Sequence, residues 1–145
     1  MEMKIYKTAE EILYMLSQNN WAYSVQQTES GTVFINCVTT GLNNVSEVNS
    51  SIVVTGEHEV TIIARKVYKC DGCDNHKVYK LLNDLNSRSP YVIFHLIEGS
   101  GGTYIQARYD LYHAISNKPG VCLNMVTEMA GMIDVFLPDI RAALD

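Results

Sequence analysis

The sequence has no surplus of basic residues. Eleven Lys and Arg face sixteen Asp and Glu, for a net charge of −5 and a pI near 5.3. Holding a phosphate backbone takes a basic patch, so nucleic acid is not an expected partner. No uninterrupted apolar stretch approaches the ~18–20 residues of a membrane-crossing helix. The opening residues, MEMKIYKTAEEI, lack the apolar core of a secretory signal. No membrane association is expected, and the cytoplasm is the expected location. Cysteine is scarce, at Cys37, Cys70, Cys73 and Cys122, and without secretory features a disulfide framework is the poorer reading. Internal repeats and low-complexity tracts are missing too. What remains is a chain of 145 residues, 47% apolar and 19% charged, the size and balance of one globular domain spanning 1–145.

Periodicity places the elements. Thr8 followed by Glu11 reads as a capping box ahead of Ile12, Leu13 and Leu16, predicting a helix over 8–19 that Asn19 and Asn20 end. Trp21, Tyr23 and Val25 alternate with polar residues, as in a half-buried strand. Thr28 to Gly31 reads as a hairpin turn and Val33 to Val38 as a second, more central strand. Residues 39–50 are polar and read as a loop, and the stretch near 39–58 as a loop insertion. Ser51 to Thr55 is β-branched, and its place in the sheet is open. Val60 to Tyr68 reads as a long strand. Val78, Leu81, Leu82 and Leu85 mark one face of a helix over 75–87, capped by Asp74 or Asn75 and stopped by Ser89-Pro90. Tyr91 to Ile97 and Thr103 to Tyr109 read as strands joined through the glycine-rich 98–102 turn. An apolar seam from Cys122 to Leu144 predicts a helix over 120–144 that Pro138 kinks or restarts. The expected fold is α+β with an antiparallel sheet, in the order α-β-β-β-α-β-β-α.

The sharpest chemical feature is Cys70-Asp71-Gly72-Cys73, between a strand and a helix. A helix N-terminus can lower a thiol pKa, as in dithiol redox sites. Zinc is the other chemistry, with Cys70, Cys73 and His76 as candidate ligands and Cys37 or His58 as a fourth. No second CxxC or HxxxH supports zinc, and no parallel βαβ unit supports redox, so incidental thiols are the bland alternative. Gly99 to Gly102 lies between strands rather than before a helix, which favours a turn over a phosphate cradle. His58, His76, His95 and His113 are scattered, and His95 reads as a sheet-face histidine. Asp84, Asp110 and Asp134 fall at expected element ends, where carboxylates are solvated or capping. Met125, Met129 and Met132 read as core filling on the last helix. No catalytic constellation stands out, so the expectation is not an enzyme, with no catalytic residues and no cofactor.

The run Leu81-Leu82-Asn83-Asp84-Leu85-Asn86-Ser87-Arg88, followed by Tyr91-Val92-Ile93-Phe94-His95-Leu96, is similar to a signature of the YbjN-type bacterial sensory transduction regulator family. Thr103 to Leu111 resembles that family's next strand, and Met129 to Ile140 its closing helix. The resemblance covers about residues 75–144. It implies a fold like that of class I type III secretion chaperones, with Asn83 and Asn86 capping or bridging a helix end and Leu82, Leu85 and Phe94 in the core. It further implies a non-enzymatic, chaperone-like or regulatory module that binds a protein partner and forms a homodimer. A zinc- or thiol-dependent protein is the alternative, and a small-molecule-binding sensor a further one.

Overall fold

The structure is a computed structural model and describes residues 5–111 and 117–145. Along the chain run α1 (Lys7–Gln18), β1 (Tyr23–Gln27), β2 (Val33–Thr40), β3 (Glu47–Gly56), β4 (Glu59–Lys69), α2 (Asn75–Arg88), β5 (Ile93–Gly99), β6 (Gly102–Asp110) and α3 (Lys118–Leu144). The strands form one sheet in the order β1-β2-β3-β4-β6-β5, and every neighbouring pair is antiparallel. The expected α+β class holds, with four strands rather than three between α1 and α2.

Residues opposite one another in antiparallel strands share a face, so the register defines two surfaces. Ile35, Ile52 and Ile62 lie in one cross-strand row, Val33, Val54 and Val60 in the next. All six are buried, on the face where Ile12 and Leu16 of α1, Leu82 and Leu85 of α2 and Met129 and Ile140 of α3 join one apolar cluster.

The loop expected over 39–50 is present over 41–46 only, and most of the insertion expected near 39–58 is strand. β2 runs to Thr40 and β3 starts at Glu47, leaving 41–46 as the connection. Val48, Ser50, Ile52 and Val54 are buried while Glu47, Asn49 and Thr55 are exposed. The two-residue alternation is present, but its solvent face carries polar side chains that read as a loop. In the edge strand β1, Tyr23 and Val25 are 38% and 40% exposed, a partial burial on the helix side, where Tyr23 meets Ser17 of α1 at 2.8 Å.

The start of α1 is capped from elsewhere. Its N-cap position, Tyr6, makes no side-chain cap bond, and Glu11 does not close the expected capping box. Instead Glu57, in the β3–β4 turn, accepts the amides of Lys7 and Thr8 at 2.8 and 3.1 Å, while Thr8 Oγ1 donates to the Glu57 carbonyl at 2.7 Å. A carboxylate here satisfies free amides and complements the helix dipole. The other end follows expectation: Asn20 takes the left-handed conformation at φ 58° and the Trp21 amide closes on the Leu16 carbonyl.

Helix α3 crosses the sheet, touching β2, β3, β4 and β6. It continues through Pro138 without a restart. It is long and apolar enough to cross a membrane by length and composition. Counting uninterrupted runs missed this, because Asn124, Glu128 and Asp134 break the apolar sequence. In the fold its buried residues pack on the sheet instead.

Asp134 lies within α3 rather than at its end, and is buried. Its carboxylate accepts the amides of Asn43, Asn44 and Val45 at 3.1, 2.6 and 3.1 Å. A proline removes the N–H that would bond the carbonyl four residues earlier, which for Pro138 is Asp134. Asn44 Nδ2 donates to that carbonyl at 3.0 Å and fills the gap.

Two tests follow from these contacts. Asp134→Ala strands three loop amides, and urea unfolding is expected to show a loss of about 2–4 kcal/mol. The second concerns pH. The Lys7 amide, opposed in part by desolvation and helped by Thr8, holds the Glu57 carboxyl below its ordinary range. The Glu57 contribution is therefore present above the unfolded carboxylate pKa and lost as pH falls through the folded one. NMR titration is expected to show the Lys7 and Thr8 amides shifting on acidification, with the transition absent in Glu57→Gln.

Candidate functional site

Cys70 to Asp74 form the turn from β4 into α2. The Cys70 amide donates to the Thr103 carbonyl at 2.8 Å, and the Thr103 amide donates to Asp71 Oδ1 at 3.0 Å, so the turn is stitched to the β5–β6 hairpin. Gly72 has φ 78°, the left-handed region that glycine adopts without strain. Gly102 has φ 136°, and a Cβ there would meet the Asp71 carboxylate. Asp74 caps α2, accepting the amides of His76 and Lys77 at 2.9 and 3.2 Å.

The turn brings the Cys70 and Cys73 side chains into contact, with His76 in the first turn of α2. Cys70 is buried, Cys73 half-buried and His76 exposed. Among the described residues no group of three or more His, Cys, Asp or Glu is placed to hold a metal. Burial, with Cys73 adding to it, pushes the Cys70 thiol up to about 11. Burial likewise raises Cys37 to about 11, and burial together with Cys37 raises Cys122 to about 12. A thiol in this range is almost wholly protonated at neutral pH and a poor nucleophile.

The remaining candidates settle into structural positions. His95 is half-buried in β5 with its Nε2 2.9 Å from Gln106 Nε2; desolvation, then the Arg108 charge, holds its pKa below the usual value. His113 lies outside the described residues. Ser100-Gly101 is a plain hairpin turn, with Gly99 paired to Gly102. Met125 and Met129 are buried, and Met132 meets Ser89 Oγ. Asp84 and Asp139 hold Arg88 at 2.8 and 3.0 Å, with its guanidinium 4.7 Å from the Phe136 ring. Leu82, Leu85 and Phe94 are buried, while Asn83 is exposed. Asn86 bridges from α2 to β5, donating to the Phe94 carbonyl at 2.9 Å and accepting the Phe94 amide at 2.7 Å.

The surface with room for a partner is the sheet face away from the helices. Phe34, Val53, Thr61 and Asp110 form one row across it, and Asn36, Ser51, Ile63, Arg108 and Ile93 the next. Toward β6 it is polar: Thr61 Oγ1 donates to Asp110 at 2.7 Å, and Arg108 pairs with the same carboxylate at 3.0 Å. Toward β2 it is mixed, with Phe34 and Val53 half-buried and Val38 exposed among Asn36, Asn49 and Ser51. The Arg65 guanidinium stands 5.4 Å from the Phe34 ring. A cleft of about 630 Å³ opens between α3 and strands β1 to β4, bordered by Tyr23, Val45, Ser50, Ile133 and Leu137. Ser50 Oγ is buried without a hydrogen-bond partner.

These positions had a signal that motif reading passed over. Between Glu11 and Glu47 the sequence holds a single Asp, Glu, Lys or Arg, Glu29. That span contains β1 and β2, whose own side chains are uncharged, with Arg65 of β4 reaching over Phe34.

Scans against protein-family models, curated proteins and solved structures found nothing that matches this chain.

The burial pattern predicts thiol behaviour. At neutral pH a thiol reagent such as Ellman's is expected to modify Cys73 first. Cys37, Cys70 and Cys122 should react only after denaturant is added. Cys73→Ser should remove the early phase.

Proposed function

We propose that this protein is a non-enzymatic binding module that engages a protein partner, in a chaperone-like or regulatory role, and acts as a homodimer. The observation that carries the reading is a six-stranded sheet whose helices all lie on one side. An antiparallel sheet can leave one face to solvent when that face is polar, but here its β2–β3 half presents Phe34, Val38 and Val53. Exposed apolar surface of that kind is characteristic of interaction sites. A peptide seated on that face would be held by side-chain packing, because a sheet's main-chain groups are free only at its edges. The likeness of the Leu81–Leu96 stretch to the YbjN-type regulators points the same way, toward a secretion-chaperone-like fold in the cytoplasm.

Two measurements test the reading together. Sedimentation equilibrium is expected to give twice the 16.3 kDa chain mass. A displayed library of unstructured peptides, panned on the purified protein, should enrich extended apolar sequences whose binding Val53→Lys abolishes. A monomer that enriches no peptide overturns the proposal.

A further inference from the structure

A sheet of six strands has two edges, and here they differ. At β5 the outward amide and carbonyl of Phe94 are both taken by the Asn86 side chain, at 2.7 and 2.9 Å. A side-chain amide stands where a neighbouring strand would bond, and α2 lies against the strand. At β1 the devices that usually blunt an edge are missing. Its sequence, Tyr-Ser-Val-Gln-Gln, has no lysine, no proline and no charge. Its register with β2 runs from Tyr23 to Gln27 without a bulge. Tyr23, Ser24, Val25 and Gln26 are all exposed.

Charge indicates what meets that edge. Each chain carries −5, so two copies repel across most of their surfaces. The strand that opposes no charges to a second copy is one drawn from the span Ile12 to Ser46, where Glu29 alone is charged. β1 lies within it. Two-fold pairing presents the same patch on both copies, so the patch must be complementary to itself. With the axis at Val25 an antiparallel β1 pair sets Val25 against Val25 and Ser24 against Gln26. These are apolar and neutral hydrogen-bonding neighbours, with no like charges opposed.

We propose that β1 is the dimer edge of this protein: β1 of one protomer pairs antiparallel with β1 of a second copy about Val25, joining the two sheets into one. This rests on the homodimer reading above and names its interface. The open faces of the two sheets are then joined across the axis through Ser24 and Gln26 of each β1.

The full-length chain tests it with three variants. Facing residues of an antiparallel pair have Cα atoms ~4.5–5.5 Å apart, within disulfide reach. With copper phenanthroline as oxidant, Val25→Cys is expected to give a cross-linked species of twice the chain mass. Wild type and Tyr14→Cys, a control with a thiol on exposed α1, should give none. Val25→Lys opposes two ammonium groups on the axis. It should raise the dimer dissociation constant by roughly tenfold or more, with the circular dichroism spectrum unchanged. A wild-type dimer in which Val25→Cys fails to cross-link, or Val25→Lys leaves association unaltered, overturns the β1 interface and leaves the homodimer reading standing. A wild type that stays monomeric at about 100 μM, a concentration that populates μM-affinity dimers, overturns both. Cross-linking of Tyr14→Cys as strong as that of Val25→Cys marks random collision and also counts against β1.

Discussion

Burying a carboxylate in the middle of an apolar helix is unfavourable unless donors close around it. In α3 three consecutive loop amides do so at Asp134. The contact joins the helix that covers the sheet to the loop between β2 and β3, so it fixes where α3 lies. With α3 across β2, β3, β4 and β6, α1 packs beside it and α2 along the β5 end. All three helices are then committed to one side, and the exposure of Val38 and the partial exposure of Phe34 and Val53 on the other are a consequence of that commitment.

The acidic character of the chain looks different once its carboxylates are traced. Glu57 caps α1, Asp71 takes the Thr103 amide, Asp74 caps α2 and Asp134 gathers the 43–45 amides. Each binds free backbone donors at the start of an element or in a turn, where negative charge is favoured. The Cys70 to Asp74 turn belongs to the same set. Its two aspartates hold it against a hairpin and start a helix, and its thiols lie beside those anchors.

Elements whose pattern repeats within a few residues were legible in the sequence. Val78, Leu81, Leu82 and Leu85 marked α2, and the Asp74 cap lay next to it; Asn19 and Asn20 marked the end of α1. Interactions between distant segments were not legible. Nothing local to Thr8 signals that Glu57 will cap its helix, and Thr8 with Glu11 imitates a local cap. Nothing in Asn43-Asn44-Val45 points to Asp134, ninety positions along in the case of Asn44. β3 was hidden because polar residues on its solvent face disguised the alternation. The exposure of β1 depended on helix placement, which strand periodicity does not encode. At the candidate site the Asn86 side chain ties α2 to β5, a contact between elements that no local pattern encodes. The free sheet face had no motif and was foreshadowed by the rarity of charge between Glu11 and Glu47.

Pro138 and Asn44 form a pair whose members make sense only together. The proline leaves a carbonyl open on α3, and the asparagine closes it from the far side of the fold. An amino acid with an amide hydrogen at position 138 would compete for the same oxygen, while a shorter side chain at 44 would leave it bare beneath a ring that cannot help. The two sites are therefore expected to show epistasis, with a change at one altering which residues the other tolerates. Among divergent copies of this fold, their substitutions should travel in tandem.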